Sequence, residues 1–361
     1  MLLTSPLNDR HVAAGARFAE FSGWSMPLQY AGVVAEHRAV RESVGVFDVS
    51  HLGKLTVRGP GAADFLNACL ANDLRRIGPG RAQYTLCCAA DGGVVDDLIA
   101  YVHSDDDVFL IPNAANSAAV CELLQNAAPA GVEVENRHQD FAVLAIQGPA
   151  SEATLAAMGL PDVADYMRFE RARFAGTDLT VCRTGYTGER GYELVVPSAA
   201  AGAVWDAIFL AGADLGIVPA GLGARDTLRT EMGYALHGHE LSPTISPVEA
   251  GVGWAVGWKK DTFWGSDALR AQRTDGPPRR SRGLRAVGRG IPRPGMTVVD
   301  SSGGRIGEVT SGTFSPTLGR GIALALLDAA HAQDASVGVV IRDRVEEFEL
   351  TDPPFVTPNV R

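Results

Sequence analysis

The chain has 361 residues, which is long for one average domain, so two or three packed units are expected. Apolar residues make up 46% and charged residues 20%, a composition that excludes global disorder. The formal net charge of −10 disfavours nucleic acid as a partner, because proteins that bind it carry basic surfaces. Neither a signal peptide nor an apolar run long enough to span a bilayer is present, so no membrane partner is expected. The five cysteines form no CxxC pair, which argues against zinc and disulfides and favours the reducing cytoplasm.

The predicted strands and helices alternate along the chain, but hairpins join most of the strands. Residues 84–89, 94–102 and 108–112 predict an antiparallel meander, with Asp91-Gly92-Gly93 as its first turn. Helices are predicted at 61–72, 113–128, 150–159, 200–212 and 224–233, and further strands at 141–149, 179–186 and 192–197. Hairpin connections favour an α+β fold over a doubly wound parallel sheet.

A change in composition near residue 273 predicts a boundary. Residues 273–283 are rich in proline, glycine and arginine and are interpreted as a linker or a solvated basic loop. The chain from 284 to 361 then contains short strands separated by turn residues, which predicts a small β-barrel or sandwich. The expected organisation is therefore a main region at 1–272, a linker at 273–283 and a barrel at 284–361.

Two adjacent carboxylates lie inside the second predicted strand of the meander. Strand alternation sends Asp96 and Asp97 to opposite faces, each among apolar neighbours, so at least one carboxylate must enter a packed layer or line a cavity. Such a carboxylate either accepts backbone N–H groups or pairs with an arginine as a structural group, or it faces a ligand with a perturbed pKa.

Two further segments could hold a polar heterocycle. Residues 183–193 combine glycines, threonines, tyrosines and two carboxylates in a tight turn, where a carboxylate could accept two N–H donors and a tyrosine ring could stack. Residues 221–229 place glycines before a helix start, with Arg225 and Arg229 on one face, which suits a carboxylate or a carbonyl. The structural alternatives are a decorated hairpin for the first segment and surface ion pairs for the second.

The remaining polar residues do not predict a hydrolase or a metal site. Asp48, Ser50 and His51 occur together, but catalytic triads are assembled in space and no GxSxG turn is present. His237 and His239 lie outside any metal-binding motif, so no metal is expected.

Taken together, the motifs resemble those of the aminomethyltransferase (T-protein) family of the glycine cleavage system. The resemblance covers most of the chain and rests on motifs in the family's order: FSGWSMPLQY, EHRAVRESVGVFDVSH, GGVVDDLIAYV, IQGP, RTGYTGERGYE, AGLGARDTLR, SPVEAGVGWAV, GEVTSGTFSPTLGRGIALA and PPFVTPNVR. It implies three domains in a cloverleaf around a central channel, with residues 1–272 forming two intertwined α+β subdomains. One of these subdomains includes the meander at 50–140.

The resemblance also implies an activity and the residues that carry it. The implied reaction moves the methylene of aminomethyl-lipoyl H-protein to tetrahydrofolate without a metal, releasing ammonia, 5,10-methylenetetrahydrofolate and dihydrolipoyl H-protein. Asp97 matches the family's critical aspartate, Glu193 its pterin-binding glutamate and Arg225 the arginine of GARD. Further folate-binding positions correspond to Tyr84, Asn113, Tyr186 and Trp254.

Two positions depart from the family pattern, and two other functions stay open. Leu52 replaces the usual methionine, which predicts a small repacking near folate, and Arg190 replaces an acidic residue in a loop that faces solvent or the partner protein. The alternatives are a folate-dependent demethylase acting on another small N-methyl or S-methyl substrate, and a non-catalytic folate-binding scaffold. The stretch TGYTGERGYE lacks the cysteine typical of the scaffold proteins.

Overall fold

A computed structural model describes residues 2–360. None of the helices in that range is both long and apolar enough to cross a lipid bilayer. The α-helices in this range are α1 (Asn8–Ala13), α2 (Val33–Glu42), α3 (Ala62–Cys69), α4 (Ser117–Ala127), α5 (Ser151–Ala157), α6 (Ala201–Ala211), α7 (Leu222–Met232) and α8 (Ser266–Asp275).

A six-stranded sheet forms the centre of the molecule. The strand order of this sheet is β11-β12-β13-β10-β4-β14. A separate three-stranded sheet near the amino terminus has the order β1-β3-β2. Central strand β10 is buried from its second residue onward, because α5 and α6 cover one face and the next sheet covers the other. The strands of these two sheets are β1 (Leu3–Thr4), β2 (Arg17–Phe21), β3 (Trp24–Gln29), β4 (Gly45–Asp48), β10 (Phe141–Gln147), β11 (Phe169–Phe174), β12 (Thr177–Cys182), β13 (Gly191–Pro197) and β14 (Val218–Pro219).

The predicted meander is part of a five-stranded sheet with the order β6-β7-β8-β5-β9. Helices α3 and α4 cover one face, and the other face packs on the six-stranded sheet and borders a cavity. The meander and its first turn are confirmed, and the helix predicted at 113–128 begins only at Ser117. The strands are β5 (Leu55–Arg58), β6 (Arg81–Cys88), β7 (Val94–Ser104), β8 (Asp107–Ile111) and β9 (Glu133–Asn136).

The carboxyl-terminal strands close into a barrel with the order β15-β18-β17-β16-β19-β20, in which β20 pairs back with β15. The structure therefore decides for the barrel over the sandwich. Its core contains Leu284, Val309 and Phe348. The strands are β15 (Arg279–Ala286), β16 (Thr297–Val299), β17 (Arg305–Ser315), β18 (Arg320–Asp328), β19 (Ser336–Ile341) and β20 (Arg344–Thr351).

The predicted linker at 273–283 is wrong in extent. Helix α8 continues to Asp275 and β15 begins at Arg279, so only residues 276–278 lie between the two elements. Three of the four arginines in this segment belong to the paired strand β15, where Arg279 donates to Glu249 at 2.7 Å and Arg282 donates to the carbonyl of Ala332 at 2.6 Å. Their side chains extend away from the strand, while the backbone of β15 pairs with β18 and β20. The division into domains at 1–272 and 284–361 stays a prediction.

Candidate active site

A cavity of about 1050 Å³ lies among the two large sheets, α7 and the barrel. All seven residues that the sequence analysis predicted for the site line this cavity, although they come from widely separated segments. They are Tyr84, Asp97, Asn113, Tyr186, Glu193, Arg225 and Trp254.

The two adjacent aspartates follow the predicted alternation of β7. Asp97 shares the cavity face with Ile99 and Tyr101, whereas Asp96 is 0% exposed on the opposite face. Asp97 accepts hydrogen bonds from the Tyr84 hydroxyl at 3.0 Å and from Asn113 Nδ2 at 2.8 Å. Burial raises the pKa of Asp97 above its ordinary value, and the hydrogen bond from Tyr84 partly offsets this effect.

Asp96 has the structural role that the sequence left open. Its carboxylate accepts the backbone N–H of Asn113 at 2.9 Å, Asn113 Nδ2 at 2.9 Å and Asn116 Nδ2 at 2.7 Å. Because Asn113 and Asn116 point back to β7, their segment stays outside α4, which explains the late start of that helix. The structural interpretation of the aspartate pair therefore fits Asp96, whereas Asp97 lies on the face that borders the cavity.

Glu193 and Arg225 bring opposite charges to the cavity with unused hydrogen-bonding capacity. Glu193 on β13 is 8% exposed and accepts from Thr184 Oγ1 at 2.5 Å, while its Oε1 has no hydrogen-bond partner among residues 2–360. Arg225, in the first turn of α7, has a buried Nη1 that likewise lacks a partner within the described range. Burial lowers the pKa of Arg225 and the charge of Glu193 opposes that shift. The pair can thus serve a ligand edge that carries both donors and an acceptor.

The arginines of α7 divide between the two roles considered for them. Arg229 is almost completely buried and pairs with Asp226 at 2.7 Å and Glu240 at 3.1 Å. Arg225 forms no such ion pair with any residue from 2 to 360 and instead lies over the Tyr186 ring, with its guanidinium carbon 4.6 Å from the ring centroid. Arg229 is therefore structural, and Arg225 is available to a ligand.

Aromatic rings line two sides of the cavity. The Tyr186 hydroxyl donates to the carbonyl of Ala235, which holds the ring in place. Tyr84 stacks on Trp254 with ring centroids 5.3 Å apart, and Trp254 is 67% exposed at the rim. Flat apolar faces next to convergent polar groups are typical of sites for heterocyclic ligands.

Two glycines of the 183–193 turn make room for the side chain of Gln147 and not for a ligand. A Cβ atom at Gly185 would lie 2.1 Å from Gln147 Oε1, and one at Gly191 would lie 2.3 Å from Gln147 Nε2. The Gln147 amide in turn donates to the carbonyls of Thr184 and Tyr192. The close approach of this amide fixes the turn that carries Tyr186 and leads into Glu193.

Comparison with known proteins agrees with this architecture. The family model of the GCVT N-terminal domain matches residues 7–260, and that of the glycine cleavage T-protein C-terminal barrel domain matches residues 279–357. Aminomethyltransferases of Mycobacterium avium (strain 104) and Frankia alni are each 59% identical to the chain, cover all of it and are covered to 98% and 99% of their own length. The crystal structure of glycine cleavage system aminomethyltransferase T from Bartonella henselae superposes with a TM-score of 0.94 at 33% identity over 99% of both chains. This chain belongs to the aminomethyltransferase (T-protein) family of the glycine cleavage system. The predicted family and the α+β fold with a terminal barrel are both confirmed.

The two departures from the T-protein pattern have different surroundings. Leu52 lines the cavity beside His51. Arg190 lies near the surface and pairs with Glu152 at 2.8 Å and Asp162 at 3.5 Å. The Arg190 guanidinium is therefore already paired with two carboxylates of the same chain.

Several cavity groups of this T-protein were missed by the sequence reasoning. His237 accepts from Asn116 Nδ2 at 3.0 Å through Nδ1, so its Nε2–H donates to the carbonyl of Val94 at 3.1 Å. His51 also lines the cavity, and burial together with Arg225 lowers its pKa to about 3, so the imidazole is neutral. The only available signal was the pair of asparagines three residues apart before α4. Asp48, Ser50 and His51 do not form a triad, because Asp48 pairs with His11 at 2.8 Å instead of His51.

Proposed function

We propose that the chain transfers the methylene group of aminomethyl-lipoyl H-protein to tetrahydrofolate. The products are ammonia, 5,10-methylenetetrahydrofolate and dihydrolipoyl H-protein. The observation that carries this proposal is the convergence of Asp97, the unpartnered Glu193 Oε1 and the unpartnered Arg225 Nη1 in one cavity. Family membership supports the same reaction. A cytoplasmic location and the lack of a metal requirement stay predictions.

The pterin ring of tetrahydrofolate fits the free hydrogen-bonding groups. Its 2-amino group and N3–H are donors that suit the Glu193 carboxylate, and its carbonyl is an acceptor that suits the Arg225 guanidinium. Tyr186, which lies beneath Arg225, offers a ring face to the same ligand. Tyr84, Asn113 and Trp254 would border the part of the folate nearer the rim.

Asp97 is placed to serve the chemistry of the transfer. Formation of the methylene bridge removes the protons of N5 and N10, while the departing nitrogen and sulfur each take up one proton. A carboxylate with a raised pKa can accept a proton, stabilise a cationic carbon and hold folate close to the carbon that it attacks. Asn113 and Tyr84 orient this carboxylate toward the cavity.

Ammonia release from aminomethylated H-protein, measured with and without tetrahydrofolate, tests the proposal. We expect the folate to accelerate release strongly and 5,10-methylenetetrahydrofolate to accumulate in equal amount. A demethylase would instead turn over small N-methyl or S-methyl compounds and ignore H-protein. A scaffold would bind folate without releasing ammonia, and either of these results would overturn the assignment.

A further inference from the structure

The carboxylates of Asp96 and Asp97 are joined by a single side-chain amide. Asn113 Nδ2 lies 2.9 Å from Asp96 Oδ1 and 2.8 Å from Asp97 Oδ1, so one NH₂ group donates to both. Asp96 is completely buried and Asp97, the next residue of β7, is partly exposed to the cavity; within residues 2–360 neither forms an ion pair with a lysine or arginine. Two buried negative charges at this spacing cannot both be retained cheaply, so the pair has a strong tendency to bind one proton.

The partners of Asp96 favour its ionised form. All three of its hydrogen bonds come from amide N–H groups of Asn113 and Asn116, and an amide N–H cannot act as an acceptor. A proton placed on Asp96 would find only donors around it. Burial and the charge of Asp97 raise the pKa of Asp96 to about 8, and the hydrogen bonds from Asn116 and Asn113 oppose that rise. Because these donors stabilise only the charged form of the carboxylate, Asp96 is the less suitable carrier of the proton that the pair shares.

The partners of Asp97 permit protonation. The Tyr84 hydroxyl donates to Asp97 Oδ2 at 3.0 Å, and a hydroxyl can reverse this hydrogen bond and accept from a protonated carboxyl. Asp97 also faces the cavity, where a substrate can deliver the proton. The arrangement therefore directs the shared proton to Asp97.

The other titratable groups around the pair do not change this assignment. Tyr84 and Tyr186 face Asp97, and burial raises the pKa of both hydroxyls, which keeps them neutral. His237 lowers the pKa of Asp97 but does not reverse the rise that burial causes, and its Nδ1 accepts a hydrogen bond from Asn116 Nδ2 at 3.0 Å. Cys87 lies near Asp96, and burial raises the pKa of its thiol.

We propose that Asp96 is a positioning residue of the transfer reaction, a fixed negative charge behind β7 that makes Asp97 the stronger proton acceptor. This inference rests on the proposed function, because it assigns the accepted proton to Asp97. Three N–H donors favour the ionised form of Asp96 against the effect of burial, and its charge acts across the shared Asn113 amide on the carboxylate that faces the cavity. Asp96 itself touches no substrate.

Infrared titration of the full chain with isotope-labelled aspartate, without substrates, tests the inference independently of activity. Exposed aspartates are ionised above about pH 5, so a protonated carboxyl band above that pH reports on the buried pair. We expect this band in the wild type and its loss in Asp97→Asn. In Asp96→Asn the band should titrate at a pH lower by about one unit or more, because the neighbouring charge is gone. An unchanged or higher midpoint would overturn the proposal.

The Asp97→Asn protein also keeps the test decisive if Asp96→Asn fails to fold. Asp96 should then show no protonated band above about pH 5, and a band that persists there would place the proton on Asp96 and overturn the inference. The acid limb of the pH profile of kcat/KM should lie at a lower pH in Asp96→Asn than in the wild type, by the same amount as the infrared midpoint. Asp267→Asn, which removes a fully exposed carboxylate from α8, is the matched control and should leave both profiles in place. A missing ammonia-release activity would refute the proposed function and leave the infrared result intact.

Discussion

Asp97 and Glu193 differ in what surrounds their carboxylates. Asp97 has two hydrogen-bond donors and a completely buried acidic neighbour, Asp96, which is a setting for proton transfer. Glu193 has one donor, Thr184, and a free oxygen opposite an arginine, which is a setting for binding. Single substitutions should therefore separate catalysis from folate affinity.

Asp97→Asn should reduce turnover by about 10²-fold or more, because an amide cannot take up the proton that the carboxylate accepts. Folate binding should weaken much less, because asparagine keeps the shape of the aspartate side chain. Asp96→Asn should reduce turnover less, since its side chain lies on the other face of β7. Turnover and folate dissociation constants measured side by side decide the matter. If Asp96→Asn abolished turnover while Asp97→Asn stayed active, the assignment of the two faces would be wrong.

Glu193→Ala should weaken tetrahydrofolate binding by about 2–3 kcal/mol, the cost of losing a charge-assisted pair. The fold should persist, because the carboxylate lines a cavity and bonds only to Thr184 among the described residues. Calorimetric titration with folate measures the loss, and Glu152→Ala at the surface of α5 serves as control. Folate affinity equal to that of the wild type would remove Glu193 from the site.

At the scale of elements, the last residues of the chain hold the turn that precedes β13. The backbone N–H of Asn359 donates to the carbonyl of Gly188 at 2.6 Å, and Arg183 Nη2 donates to the carbonyl of Val360 at 2.6 Å. Asn359 Nδ2 also donates to Glu189 Oε2 at 3.3 Å. The tail thus restrains the segment that positions Tyr186 and Glu193.

Deleting residues 356–361 should weaken folate binding by about 1–2 kcal/mol, because binding would then have to order the turn. The barrel should remain folded, since its last strand ends at Thr351. Calorimetry gives the affinity and thermal unfolding gives the stability. Asn359→Ala, which removes one side-chain contact, should show a smaller effect in the same direction, and equal affinities for all three proteins would contradict the argument.

At the scale of the whole molecule, Glu231 on α7 connects three parts of the fold. It pairs with Arg41 of α2 at 2.7 Å, lies 3.4 Å from His37 Nε2 and accepts hydrogen bonds from Ser315 and Thr317 at the barrel. The side chain is 0% exposed. Burial alone would raise its pKa, but His37, Ser315 and Arg41 outweigh burial and lower the pKa to about 2.

This shift predicts how stability depends on pH. The unfolded carboxyl binds its proton at a pKa near 4.5 and the folded one only near 2, so the stabilisation is present above 4.5 and is lost as pH falls toward 2. Within that window Glu231 should contribute a slope of up to about 1.4 kcal/mol per pH unit. Urea unfolding of the wild type and Glu231→Gln between pH 5 and 3 should show a smaller slope in the variant, and parallel curves would refute the linkage.

Features of this protein that depend on local spacing could be predicted from its residues alone. Alternation along Val94–Tyr101 predicted that Asp96 and Asp97 face opposite ways, and Asp91-Gly92-Gly93 predicted the hairpin. The motif resemblance identified the family and the seven residues that line one cavity. Period-two geometry and turn chemistry act between neighbours in the chain, so they can be read without a structure.

The partners that these residues contact depend on how distant segments of the chain pack together. Asn113 and Asn116 reach Asp96 across 17 and 20 residues, and His237 reaches Val94 across 143. The basic segment after Gly276 looked solvated because local composition does not show that β18 and β20 complete its ladder. Hydrogen-bond partners and burial arise from contacts between distant segments, and it is these contacts that separate the buried Asp96 from Asp97, which faces the cavity.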